Sequence, residues 1–138
     1  QGVEVAGLGT FTVAKERFYR RTERTELRRP VFHLDTESFG VQEVADPTAG
    51  TPGAVQTEPL DFPRLSQATS LPWHTVRCCV QETLLLYCSL LRSGQRLPFA
   101  FRSLGVLACE DNGLCMRFYT GCVTELESKA SHVARLHA

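Results

Sequence analysis

Six cysteines are the side chains in this sequence best suited to bind a metal or act as nucleophiles. Cys78 and Cys79 are adjacent within a stretch of helical periodicity, where successive side chains diverge by about 100°. No two cysteines stand in C-x-x-C spacing, the usual arrangement of paired zinc ligands. Cys109 and Cys115 flank Asp111-Asn112-Gly113, so a hairpin there is expected to bring them opposite one another. Free, buried, intracellular thiols are otherwise the expected state. Cys78, near a helix start, has the position of an activated thiolate, but no His, Asp or Asn is spaced to complete a catalytic set. A thiol-based redox role is therefore the weakest functional class. Phosphate loops, nucleophile elbows and paired-carboxylate motifs are also missing, so neither enzymatic activity, a metal nor a cofactor is expected.

Charge offers a second chemistry. Lys15, Arg17, Arg20, Arg21, Arg24, Arg28 and Arg29 face only Glu16, Glu23 and Glu26 over the same span, a local surplus of four. The whole chain balances 15 basic against 15 acidic residues, so general attraction to nucleic acid or anionic lipid is not expected. These seven cations are the candidate contacts to a partner, either an acidic protein or duplex DNA. Four surplus charges release only a few counterions, so DNA affinity at physiological salt is expected to be weak.

The elements that position these residues follow from periodicity. With 138 residues, 43% hydrophobic and 22% charged, the chain has room for one full domain and a remnant of another. No apolar run reaches the roughly 18–20 residues of a membrane span, and Gln1–Ala14 lacks the order of a secretory signal. Val3-Glu4-Val5 alternates, Gly7-Leu8-Gly9 turns, and Thr10–Phe18 resumes a strand with Phe11 and Val13 on one face. After the charged run, taken as a hairpin with a short span between strands, Pro30 opens the strand Val31–Leu34 at a strand start or edge. Asp35 caps a short helix that points Phe39 and Val44 inward and is interrupted at Gly40. Asp46–Glu58 reads as a linker, rich in Pro, Gly and small polar residues.

Asp61-Phe62-Pro63 starts a short helix, and Ser70 is expected to cap a long one over Pro72–Arg92. Along it Trp73, Val76, Val80, Leu84, Tyr87 and Leu91 recur at three or four residues, a stripe predicted to be core, Trp73 included. Gly94 ends it. Three strand-like runs follow, Leu97–Arg102, Val106–Glu110 and Leu114–Thr120, with a hairpin at Asp111-Asn112-Gly113. Val123, Leu126, Ala130, Val133 and His137 mark a polar helix with a thin apolar edge.

Two segments echo one another. Val3–Phe11 and Phe99–Leu107, 96 residues apart, both read apolar-x-apolar, two spacers, Leu-Gly, one spacer, apolar. One sheet architecture is thus expected twice, the first copy without its own helical pair. Helices, a strand, a glycine turn, a strand, a charged hairpin and a returning strand resemble the HU/integration-host-factor fold.

More narrowly, the chain resembles the coiled-coil domain-containing protein 81 family, whose members carry tandem HU-like domains. Gly2–Thr12, Arg29–Phe32, Cys79–Leu86, Leu104–Leu107 and Met116–Tyr119 carry that resemblance. It implies an α+β fold of helical pair followed by a small antiparallel sheet, in two copies with the first truncated. The expected boundaries are 1–45 for the first copy, 46–58 for the linker, 59–121 for the second copy and 122–138 for the helical tail. It further implies a non-enzymatic, intracellular scaffold at the centrosome that binds proteins ahead of a coiled coil, with HU-like pairing inside the chain or between copies. Duplex DNA binding through Lys15–Arg29 is the alternative.

Overall fold

The computed structural model describes residues 2–20, 23–44 and 56–127. Three strands, β1 (Gly2–Val5), β2 (Gly9–Arg20) and β3 (Glu23–Leu34), form an antiparallel meander. A single-turn helix α1 (Thr36–Phe39) and a two-residue strand β4 (Gln42–Glu43) follow. Then come β5 (Thr57–Pro59), α2 (Phe62–Thr69), α3 (Trp73–Arg92), β6 (Phe99–Phe101), β7 (Gly105–Glu110) and β8 (Gly113–Phe118). Residues 120–127 form a last helix, α4. The strands make two four-stranded sheets, ordered β3-β2-β1-β5 and β4-β8-β7-β6.

Edge strands are exchanged between the sheets. β4, which follows the first meander, pairs parallel with β8, and β5, which leads into the helices, pairs parallel with β1. The last residues of the stretch expected to be a linker, Thr57 and Glu58, therefore belong to a strand that runs on to Pro59; residues 46–55 of that stretch lie outside the described residues. Pro59 is tolerated because β5 is an edge strand.

The two meanders share one register at the offset of 96. Val3 pairs with Phe11 and Val5 with Gly9, as Phe99 pairs with Leu107 and Phe101 with Gly105. The turn bonds agree too: Leu8 N–H donates to the Val5 carbonyl at 3.0 Å, and Leu104 N–H to that of Phe101 at 3.0 Å. Asp35 N–H donates to the Leu8 carbonyl, and Tyr119 N–H to the Leu104 carbonyl, both at 2.9 Å. Gly7 (φ 84°) and Ser103 (φ 62°) occupy the same left-handed turn position. At the next conserved step of the pattern the backbones nearly touch: a Cβ on Gly9 would lie 2.1 Å from the His33 carbonyl oxygen, and one on Gly105 2.4 Å from that of Arg117.

Capping chemistry sets the helices. Asp61 accepts from Arg64 N–H at 3.1 Å at the start of α2, with a proline in the first turn. Ser70 does not cap α3 as its residue type suggested; it ends α2 in the left-handed conformation, φ 58°, and Pro72 stands at the α3 N-cap without a side-chain bond. The linking turn is too short for Ser70 to reach the α3 amides, and the Ser66 hydroxyl instead donates to the Leu71 carbonyl. At the other end Gln95 N–H bonds to the Leu90 carbonyl and Gly94 N–H to that of Leu91, each at 3.1 Å, closing the helix as the glycine predicted. Asp35 caps α1 as expected, and Gly40 at φ 64° terminates it.

One core joins both halves. Leu8, Phe32, Leu34 and Phe39 from the first meander and α1 pack with Leu84, Tyr87 and Cys88 of α3 and with Leu107, Leu114 and Met116 of the second. Trp73 departs from its expected place: it is 51% exposed, and along the stripe the residues packed against the shared core begin only at Val80. Cys109 and Cys115 do not face each other. Cys109 pairs with Leu114 and Cys115 with Ala108, so the two thiols point to opposite sheet faces. Ala130, Val133 and His137 of the expected tail helix lie outside the described residues.

A charged ribbon as the candidate interaction site

The basic run is not a loop between short strands. β2 and β3 pair without interruption from Gly9–Leu34 to Arg20–Glu23, a ladder of 12 residues on each side. At about 3.4 Å per residue such a ribbon is roughly 40 Å long. β1 accompanies β2 only as far as Phe11, so the remainder projects as a two-stranded arm. The expectation of a short span failed because the charges were taken as connector residues; they are themselves the ladder. Diagonal ion pairs support it where no core lies beneath: Lys15 Nζ to Glu26 Oε1 at 3.9 Å and Arg29 Nε to Glu16 Oε2 at 4.0 Å.

Lys15, Arg17 and Arg20 lie on β2, and Arg24, Arg28 and Arg29 on β3. Arg20 and Arg24 are positioned by backbone pairing, with Glu23 and Tyr19 respectively, while Arg21 falls outside the described residues. Register sorts the cations. Phe11 and Phe32 lie on the core-facing side, followed on that side by Val13 opposite Pro30, then Lys15 opposite Arg28, then Arg17 opposite Glu26. This side changes from apolar to basic at Pro30, which is buried inside the edge strand rather than at its start. On the reverse side Arg29 meets Glu16, and the charge cancels. Lys15 keeps 57% of its side chain exposed. The Arg28 Nε–H is shielded from solvent and has no hydrogen-bond partner.

The second meander has no counterpart to this arm. β7 and β8 are six residues each and close at Glu110–Gly113 around Asp111, which has φ 49°. Arg117 on β8 forms an ion pair with Glu110 on β7. Projection and basicity belong to the first meander alone.

Other chemistry is sparse. Among the described residues no group of three or more His, Cys, Asp or Glu is placed to hold a metal. His33 is exposed, its Nδ1 3.9 Å from Glu43 Oε2, an oxygen that also accepts from Leu34 N–H at 3.0 Å. Burial pushes the Cys88 thiol up, with Asp35 adding and Arg92 opposing, and burial with nearby Glu125 raises Cys122. Both shifts lower thiolate content and nucleophilicity. An open groove of about 280 Å³ lies at the end of α3, lined by Val41, Leu91, Arg96, Cys109, Asp111 and Leu114 among others. Among the described residues no helix is long and apolar enough to cross a membrane.

Periodicity did not disclose the outward face of α3, where Leu85 is 69% and Leu86 60% exposed. The signal was present in Leu84-Leu85-Leu86, since three successive residues span about 200° of a helix and cannot share one face. Residues 56–130, from the start of β5 through α4, match the family model of the CCDC81 eukaryotic HU domain 2.

Proposed function

Because the chain belongs to the family of the CCDC81 eukaryotic HU domain 2, we propose that it is a non-enzymatic protein-interaction module working at the centrosome. In this reading two HU-like units, residues 1–45 and 59–121, are paired within one chain, and α4 extends the second. The matched register of the meanders and the common core support the pairing. The family is not an enzyme family, and the raised thiols agree with a structural role for the cysteines.

The observation that carries the reading is the arm with one basic side, Lys15, Arg17 and Arg28 against Glu26. Such a side fits an acidic stretch of a partner protein. Duplex DNA is the second reading, favoured by the arm's length and charge. Three features weigh against it. Only one meander carries an arm, and a net surplus of two charges on its described basic side would release few counterions. The sequence Arg20-Arg21-Thr22-Glu23 also lacks an apolar residue of the kind that unstacks base steps.

The test is a titration of a labelled polyglutamate peptide and of a labelled DNA duplex across a salt series. Peptide binding that persists where duplex binding has vanished, and that is lost in Lys15→Glu/Arg17→Glu/Arg28→Glu, is the expected result. Micromolar or tighter duplex binding near physiological salt, abolished by Arg20→Glu/Arg21→Glu, would replace the protein-binding reading with the DNA one. Imaging of the tagged chain tests the location, and diffuse signal without a centrosomal focus removes that part.

A further inference from the structure

Within the arm, the step from Lys15 to Arg28 works against the stability of its own ladder. The two residues are direct partners on the same side of the ribbon, so their Cβ atoms stand about 4.5–5.5 Å apart. Like charges placed directly opposite one another are destabilising. Glu26 relieves only part of this. It lies opposite Arg17, and its Oε1 is 3.9 Å from Lys15 Nζ, so one carboxylate serves the cations of this side. Arg28 is half-buried and has no ion-pair partner among the described residues. The reverse side shows no such conflict, because there Glu16 answers Arg29 at 4.0 Å.

A partly buried guanidinium without a counter-ion is unfavourable, and its Nε–H, shielded and unpaired, adds the penalty of a donor withdrawn from water. Turning that group outward breaks no hydrogen bond of Nε, and an anion on the arm would restore its partner.

Charge and spacing together select the anion. The described residues of this side hold Lys15, Arg17 and Arg28 against Glu26, a surplus of two. Lys15 and Arg28 stand on facing strands, close enough for both heads to reach a single group. Two carboxylates drawn to that place would repel each other. A phosphate monoester carries about −1.5 to −2 on one group, with three acceptor oxygens for the Arg28 fork and the Lys15 ammonium. A phosphodiester of nucleic acid carries one charge and leaves half of the surplus unmatched.

We propose that Lys15 and Arg28 bind the phosphate of a phosphorylated serine or threonine in the acidic segment of the arm's protein partner. This site rests on the acidic-partner reading given above.

The probes are three labelled peptides of one acidic sequence, with serine, glutamate or phosphoserine at the central position, titrated against the whole chain. The phosphoserine peptide binds about tenfold or more tightly than either of the others. Arg28→Gln and Lys15→Gln each bring it down to the level of the serine peptide. Arg28→Lys, which keeps the charge but not the fork, loses most of the advantage. Arg29→Gln, on the reverse side, leaves the advantage intact. Arg28→Gln also melts no lower than the wild type, since the repulsion and the unpaired donor go together. Equal binding of all three peptides overturns the phosphate site and leaves the acidic-partner reading standing, whereas failure of all three overturns both. A preference that survives in Arg28→Gln also removes the site. So does displacement of the phosphoserine peptide by duplex DNA at an equal concentration of phosphate groups, which would assign these cations to nucleic acid.

Discussion

The rings of Phe11 and Phe101 meet edge to face with centroids 5.6 Å apart, one from each sheet. Phe11 also tilts against Phe32 at 4.8 Å, and Phe101 against Phe99 at 4.9 Å, so four aromatic residues bridge the two sheets. Both bridging rings are half-buried and pack against the core. Phe11→Ala is expected to cost about 2–3 kcal/mol, below the ~3–5 kcal/mol of a fully buried phenylalanine. A double-mutant cycle with Phe101→Ala should give a coupling of about 0.5–1.5 kcal/mol. Urea unfolding followed by near- and far-ultraviolet circular dichroism checks both values, and the two signals should change together because the sheets share one core.

The glycine turns make contrasting demands. Gly7 needs its left-handed backbone, but nothing lies within 4 Å of a Cβ there, so Gly7→Ala should cost only about 1–2 kcal/mol of backbone strain. Gly9→Ala would drive a Cβ into the backbone of β3 and should cost on the order of 3 kcal/mol or more. Ser103 already bears the left-handed strain. Ser103→Gly should therefore raise stability by up to about 1 kcal/mol, the relief exceeding the added freedom of the unfolded chain. Thermal melting of the three variants gives the order.

Tyr87 makes the fold sensitive to alkali. Burial, with Cys109 and Cys88 nearby, pushes its phenol from its ordinary value near 10 up to about 12. The folded state then holds a proton that the unfolded state releases. The contribution to stability is complete below pH 10 and falls as pH rises from about 10 to about 12. The Tyr87 hydroxyl also donates to the Leu97 carbonyl at 2.8 Å. Tyr87→Phe should lose about 1 kcal/mol at neutral pH for that bond and show a flatter decline than the wild type between those pH values. Denaturation midpoints across the alkaline range, wild type against variant, are the measurement.

Thiol reactivity should divide by burial. Cys78 and Cys79 are exposed, Cys109 and Cys122 half-buried, and Cys88 and Cys115 buried. A maleimide pulse on the native chain, read by peptide mass spectrometry, should label Cys78 and Cys79 first and leave Cys88 and Cys115 until unfolding. Rapid native labelling of Cys88 would contradict its raised pKa and its packing against α3's neighbours in the core.

The elements were legible where their cause is local. Asp61 with Pro63, Asp35 with Gly40, and Gly94 each mark a helix end through bonds formed within a few residues. The Leu-Gly echo at Leu8-Gly9 and Leu104-Gly105 was legible because the close approach of the returning strand at the glycine excludes a side chain in both turns. The arm was only half legible. Its seven cations stood out by composition, yet their sorting onto sides depends on which residue of β3 meets which residue of β2, a partner chosen across the hairpin.

What the chain determines by itself, then, is where the locally capped helix ends and the glycine turns fall, because propensity, capping and positive φ act over neighbouring residues. Tertiary structure decided the rest. It placed Thr57–Pro59 beside β1 and Gln42–Glu43 beside β8, closed two meanders on one core, and left Trp73, Leu85 and Leu86 in solvent although all three are apolar residues of one helix. Periodicity tells which residues share a face, but only the packed neighbours determine which face is covered, and those neighbours come from distant parts of the chain.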